Sequence, residues 1–219
     1  MAVPPVLLND LELDALTELV NLGVSNAASS LRELVREEVV LSVPKVTEVT
    51  REQAIANLTE REARRLVAVH QDFEGDIRGR ALLIFPEARS MELVRAIVGS
   101  ELSFEDIMEL EQEALAETGN IMLNSCLATM ANHFERSLRI SLPEVIYGEG
   151  AEFFGPASGG HADDRVLFMF INFAVRHRDI QGYIAMLLDL PSLATLKGLL
   201  GALIERTAGD TIVAPPHDA

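Results

Sequence analysis

Basic residues are scarce in this 219-residue chain, and cysteines and long apolar runs are scarcer still. Lys and Arg total 18 against 34 Asp and Glu, giving a formal net charge of −16. The few cations are scattered rather than gathered into a stripe, which argues against nucleic acid or an anionic membrane as the main partner. A single cysteine, Cys126, cannot form an internal disulfide and fits a reducing cytoplasm. It falls on the apolar side of a helical pattern, where a thiol is a small core residue rather than a nucleophile. No window approaches the ~18 consecutive apolar residues of a membrane span, and the N-terminal "MAVPPVLLNDLELD" lacks the basic start of a secretory signal. The expectation is a soluble cytoplasmic chain.

Other absences narrow the chemistry. The five histidines, 70, 133, 161, 177 and 217, show no paired ligand spacing, and "GGHADD" at 159–164 has no second cluster to complete a metal site. The glycines at 155–160 form neither a G-x-x-x-x-G-K-[ST] loop nor a strand-to-helix G-x-G-x-x-G turn, so nucleotide binding lacks motif support. The phenylalanines at 73, 85, 168, 170 and 173 lie in strand-like runs, where core packing explains them better than base stacking.

What is present is a repeat. With 48% apolar residues the chain has enough to build a sizeable core. Leu13, Leu16, Val20, Val24, Ala27, Leu31 and Leu34 follow the i, i+3, i+4, i+7 template of a core-facing helix. "VVLSVPKVTEV" at 39–49 reads as extended structure, residues 50–64 as a short helix or loop, 65–73 and 76–86 as two strands, and 87–99 as a helix stopped at Gly99. The second half repeats that order: a helix over roughly 105–136, an extended stretch at 139–148, two strands in "RVLFMFINFAV" and "DIQGYIAMLLDLP", and a helix in "SLATLKGLLGALIE". Asp76-Ile77-Arg78-Gly79 recurs as Asp179-Ile180-Gln181-Gly182. Two copies are too few for a solenoid, and adjacent strands in each half suit antiparallel hairpins.

The expected fold is therefore a single α/β domain with pseudo-twofold symmetry, a mostly antiparallel sheet, two long helices and several shorter ones. It spans residues 1–206 in two repeats, about 10–99 and 105–205. The Gly-rich stretch 148–164 reads as a mobile surface loop and 207–219 as a disordered tail.

The two long helices each carry a polar stripe. At about 100° per residue, Asp14, Glu18, Asn21 and Ser25 fall within roughly 60° of one another, opposite the apolar face. Glu113, Glu117, Asn120 and Asn124 stand in the same relation in the second copy, while Leu115, Met122, Leu123, Cys126 and Met130 face away. A polar outer face is ordinary for a helix, and a lone Glu-x-x-Asn is common by chance. Here, however, Asn21 is followed by 22 residues and then Pro44, and Asn120 by 22 residues and then Pro143. Duplication of a purely structural unit would also keep that spacing. Asn cannot exchange a proton near neutral pH, but its amide both donates and accepts hydrogen bonds and can orient a water; Glu can pair with a cation on a partner. With no nucleophile beside a base, such a face suits water positioning against a bond that another molecule has activated, as a glutamine does in small GTPases.

The pattern Asp14-x3-Glu18-x2-Asn21-x22-Pro44 resembles the signature of the CheC/CheX/FliY phosphatases of bacterial chemotaxis: Asp or Ser, x3, Glu, x2, Asn, x22, Pro. Two motifs make the chain most like CheC; a FliN-like C-terminal domain would mark FliY, and the sequence ends before one. The resemblance implies a CheC-like fold and a substrate, the phosphorylated CheY-like receiver domain, that brings its own Mg²⁺, so that this chain needs no cofactor. It implies that Asn21 and Asn120 orient the attacking water, that Glu18 and Glu117 pair with a receiver lysine, and that Asp14 and Glu113 contact the partner. It also makes the deamidase CheD a candidate partner. Glu113 departs from the family's Asp or Ser by one methylene or more, so the second motif is the less regular. The competing reading is a non-catalytic adaptor that binds a receiver or a CheD-like protein and leaves the phosphate untouched.

Overall fold

A computed structural model describes residues 7–35, 38–43, 45–61, 65–98, 104–154, 165–175 and 178–212. Helix α1 (Asp10–Val35) leads into β1 (Val39–Ser42), β2 (Val46–Thr50), α2 (Arg51–Arg61), the hairpin β3 (Leu66–Gly75) and β4 (Gly79–Pro86), and α3 (Glu87–Val98). The second half follows with α4 (Phe104–His133), β5 (Leu138–Ile140), β6 (Glu144–Gly148), α5 (Gly150–Phe153), the hairpin β7 (Arg165–Val175) and β8 (Arg178–Leu188), and α6 (Leu190–Ile212). All pairings are antiparallel, as the adjacent strand runs predict.

The eight strands form one sheet in the order β1, β7, β8, β4, β3, β5, with β2 also on β7 and β6 also on β3. The two hairpins meet at β4 and β8, where Leu82 lies opposite Ala185. The first half's β1 and β2 pair with the second half's hairpin, and β5 and β6 pair with the first half's, so each half completes the other's sheet.

Period-two alternation sorts the strands' side chains between two apolar clusters. Val67, Val69 and Phe73 of β3, with Leu83 and Phe85 of β4, face a large cluster shared with α1, α3, α4 and α6. Leu66, Ala68, Leu82 and Ile84 face a smaller one closed by Ala54 and Leu58 of α2 and by Phe153 and Phe154. The polar stretch at 50–64, readable from sequence as helix or loop, contains α2 because Ala54 and Leu58 cap this second cluster.

α1 begins at a reciprocal cap. Asn9 Oδ1 accepts from the Glu12 N–H at 2.9 Å, and Glu12 Oε2 accepts from the Asn9 N–H at 2.7 Å. The same Glu12 carboxylate, almost fully buried, lies 3.2 Å from Lys197 on α6 and pins that helix to the start of α1. α1 and α4 pack closely at Gly23, where a Cβ would stand 2.6 Å from Cys126 Cα.

Three expectations need correction. α6 continues through residues 207–212, assigned above to a disordered tail. Arg206 donates to the His133 carbonyl at 2.6 Å and to Glu135 at 3.1 Å, tying α6 to the end of α4, and Thr207 Oγ1 donates to the Leu203 carbonyl at 2.6 Å. The expected loop at 148–164 begins with the last residue of β6 and with α5, whose Phe153 is buried, as is Phe154 just after it. The repeated Asp-Ile-x-Gly tetrapeptide also does not mark equivalent places: Asp76–Arg78 precede β4 in a turn, whereas Asp179–Gly182 lie within β8. Pro44, Gly99, the segment 155–164 and the tail beyond 212 lie outside the described residues.

Gly23→Ala is expected to lower stability by about 1–3 kcal/mol, because the new methyl meets the backbone of α4 rather than a movable side chain. A urea titration reads this as a lower midpoint at unchanged slope.

Candidate functional site

Each polar stripe faces a bend that joins two short strands. The first, with Val43 and Lys45 among the described residues, lies between β1 and β2; the second, at 141–143, lies between β5 and β6. Asp14, Glu18, Glu113 and Glu117 are exposed. None of the four makes an ion pair or hydrogen bond among the described residues. The two asparagines behave differently: both are half-buried and both are engaged. On each polar face the carboxylates are therefore exposed, whereas the carboxamides are already hydrogen-bonded.

At the first stripe, Asn21 closes a two-point clamp on the bend. Its Nδ2 donates to the Val43 carbonyl at 2.9 Å and its Oδ1 accepts from the Val43 N–H at 3.0 Å. Val43 is buried, so without Asn21 both of these backbone groups would lose a protein partner. One turn earlier, Thr17 Oγ1 accepts from the Val46 N–H at 3.1 Å. α1 thus grips the chain at both Val43 and Val46. The shared 22-residue interval has a physical cause here, since it is the path from the carboxamide to the backbone that it binds.

At the second stripe the same interval leads to a different arrangement. Asn120 makes no hydrogen bond to Leu142 among the described residues; its Oδ1 accepts from Asn124 Nδ2 at 2.7 Å and from Gln71 Nε2 at 3.3 Å. Position 116, the counterpart of Thr17, is alanine and offers no hydroxyl. The second bend hangs instead from β3. The Ser141 N–H donates to the Asp72 carbonyl at 2.9 Å, Ser141 Oγ accepts from the Asp72 N–H at 3.0 Å, and Gln71 Nε2 donates to the Ser141 carbonyl at 2.9 Å. Asn120 Nδ2 makes no hydrogen bond among the described residues.

Exposed apolar side chains flank both stripes. Leu22 stands next to Asn21, and Leu142 next to Pro143 is 85% exposed. Cys126 is fully buried on the far side of α4, and burial pushes its thiol up to about 12, which removes it as a nucleophile. His70, on the opposite face of the sheet from Gln71, has its pKa lowered by burial first and by Arg80 second; its Nε2 lies 3.3 Å from Glu144. Among the described residues no group of three His, Cys, Asp or Glu side chains is placed to hold a metal, and no helix is long and apolar enough to cross a membrane.

Gln71 and the bend residues Val43 and Ser141 are the parts of these sites that the sequence reading missed. The signal for Gln71 was present: it is a polar residue in the alternating series 67, 69, 71, 73, whose other members are apolar and face the core.

A family model described as "Chemotaxis phosphatase CheX" matches residues 67–159, a stretch that contains the second stripe and Pro143 but not α1. The CheY-P phosphatase CheC of Bacillus subtilis is 26% identical over 137 residues, covering 61% of this chain and 65% of that protein. The flagellar motor switch phosphatase FliY of the same organism is 24% identical over 140 residues, covering 63% of this chain but 36% of FliY. Over these stretches the chain is similar to the CheC/CheX/FliY phosphatases. Among solved structures, Thermotoga maritima FliY superposes with a TM-score of 0.70 at 16% identity, over 90% of this chain and 100% of that one. The middle domain of Helicobacter pylori FliM superposes at 0.59 with 11% identity over 88% of this chain. At such identities the structures establish a common fold, to which the pseudo-symmetric sheet and its two stripe-bearing helices belong.

The unequal engagement of the asparagines has a measurable consequence. Asn21→Ala, which strands the buried Val43 amide and carbonyl, is expected to cost about 1–3 kcal/mol. Asn120→Ala, which leaves the second bend held by Ser141 and Asp72, should cost less than about 1 kcal/mol. Urea midpoints of the two single variants check the difference.

Proposed function

We propose that this chain is a phosphatase that hydrolyses the aspartyl phosphate of a CheY-like receiver domain. The observation that carries this reading is the pairing, on each long helix, of a half-buried carboxamide with an exposed carboxylate one turn away that is unpaired among the described residues, beside a fixed bend and an exposed leucine. Such a face offers no nucleophile of its own. It suits a substrate that arrives already activated, as an acyl phosphate with bound Mg²⁺ is, and that lacks only an oriented water.

In this mechanism the receiver supplies phosphate and metal, and this chain supplies position. Asn21 or Asn120 enters the receiver's site and holds a water by its carboxamide in line with the phosphorus, so that attack breaks the P–O bond and the aspartate leaves as a carboxylate. Glu18 or Glu117 pairs with a receiver lysine, which fixes the depth and angle of entry. Asp14 and Glu113 extend the same contact, and Leu22 and Leu142 give it apolar area. The name of the Bacillus subtilis relative CheC, a CheY-P phosphatase, supports the substrate class, and that of FliY supports a phosphatase. The strongly acidic surface gives no long-range attraction to an acidic receiver pocket, so recognition rests on these short-range contacts. The reaction belongs in the cytoplasm, where a lone buried thiol stays reduced. A CheD-like deamidase is a further candidate partner, on family resemblance alone.

The test is a dephosphorylation time course of a phosphorylated CheY-type receiver with and without this protein. The native chain should shorten the phosphate's lifetime, and Asn21→Ala/Asn120→Ala should lose roughly 10²–10³-fold of that acceleration, the scale for removing one oriented polar group from an active site. Circular dichroism must show the double variant folded, given Asn21's structural role. Receiver binding with an unchanged phosphate lifetime would instead support the adaptor reading.

A further inference from the structure

We infer that Gln71 is the positioning residue of the second site and that, among the described residues, the first site has no counterpart to it, its equivalent position being Ile171. The inference rests on the phosphatase reading above. The sheet register fixes the equivalence of the two sites: β6 sets Val145 opposite Val69, and β2 sets Val46 opposite Met169. Two residues further along the same faces stand Gln71 on β3 and Ile171 on β7, and both are buried beneath their helices.

Ile171 can only pack, and there Asn21 reaches the bend unaided. Gln71, 1% exposed, places one amide nitrogen 3.3 Å from Asn120 Oδ1 and 2.9 Å from the Ser141 carbonyl, and 3.5 Å from Asn124 Oδ1. It is the connection through which Asn120 is referred to the second bend. Because Gln71 Nε2 and Asn124 Nδ2 both donate to Asn120 Oδ1, the orientation of the Asn120 amide is set and its Nδ2 is left for water. The bend does not need Gln71, since Ser141 and Asp72 exchange two further hydrogen bonds.

Gln71 also carries a cost. Its Oε1 is buried and has no hydrogen-bond partner, an arrangement that a leucine at this position would relieve. Stability alone therefore favours an apolar residue there, as the first site has. Retention of the amide fits a demand for orientation rather than for packing.

The experiment places Gln71→Leu in a Glu18→Ala background, which silences the first site through an exposed residue and leaves the Asn21 clamp intact. Glu18→Ala/Gln71→Leu should melt at or above the temperature of Glu18→Ala alone, yet its single-turnover dephosphorylation rate should fall about tenfold or more with little change in the receiver concentration at half-saturation. Gln71→Glu, of the same shape but with an acceptor in place of the donor at neutral pH, should show the same loss and carries the test if the leucine variant fails to fold. Glu18→Ala/Asn120→Ala is the control. If that control is inactive while both Gln71 variants keep full rate, the inference fails and the phosphatase reading stands. If the control is as active as Glu18→Ala alone, or the native chain is inactive, the site reading fails and takes this inference with it. A fall in rate matched by an equal fall in melting temperature for both Gln71 variants would make the residue structural and would also overturn it.

Discussion

Backbone pairing between β4 and β8 joins the two halves, and the exchange of leading strands across that joint is the constraint on which the other features depend. Neither half can close its own sheet. The strands that follow α1 are completed by β7, and those that follow α4 by β3. The first bend is thus held by α1 of its own half, beside strands that β7 of the other half completes, whereas the second hangs from β3 of the other half. The geometry of either site is a property of the joined domain, and opening the β4–β8 seam would dismantle both together.

Within that shared frame the two sites solve one positioning problem in different ways. A carboxamide on a helix must be fixed relative to a bend in the neighbouring chain. At the first site helix α1 does this directly, with Thr17 and Asn21 taking Val46 and Val43. At the second, α4 carries alanine at the threonine position, and the bend is secured from below by β3. In one site the amide spends its hydrogen bonds on the backbone; in the other it spends only its oxygen. Removing the same residue type from each therefore changes different balances of stability and chemistry, although the motif spacing is identical.

The exposed carboxylates complete this picture by remaining unpaired. A folded domain this acidic pairs many of its charges, as at Glu12 with Lys197 or Asp72 with Arg80. Arg80 beside Asp72 is the main cause that holds that carboxyl below its usual range. The four stripe carboxylates sit where helix faces meet solvent and have no such partner among the described residues. Left unpaired, they keep their full capacity for a cation on another molecule at little cost, because exposed charge is already solvated.

How much of this could be read from the chain follows from the range of each force. Period 3.6 and period 2 patterns located both long helices and both hairpins, since they arise from which side chains meet the core and need no partner to be visible. The duplication and the Glu-x-x-Asn-x22-Pro spacing were equally legible, and with them the family resemblance. The tetrapeptide repeat misled because it is a likeness of letters, whereas strand register is set by pairing with distant strands. The tail at 207–212 is helical through contacts made by Arg206 at the end of α4, far away in sequence. Sequence by itself determined that two matched faces exist and which residue types they carry. Only the tertiary structure decided what each asparagine holds, because the groups that bind it, the Val43 backbone and the Gln71 amide, are brought beneath the helices by the sheet and not by the chain's order.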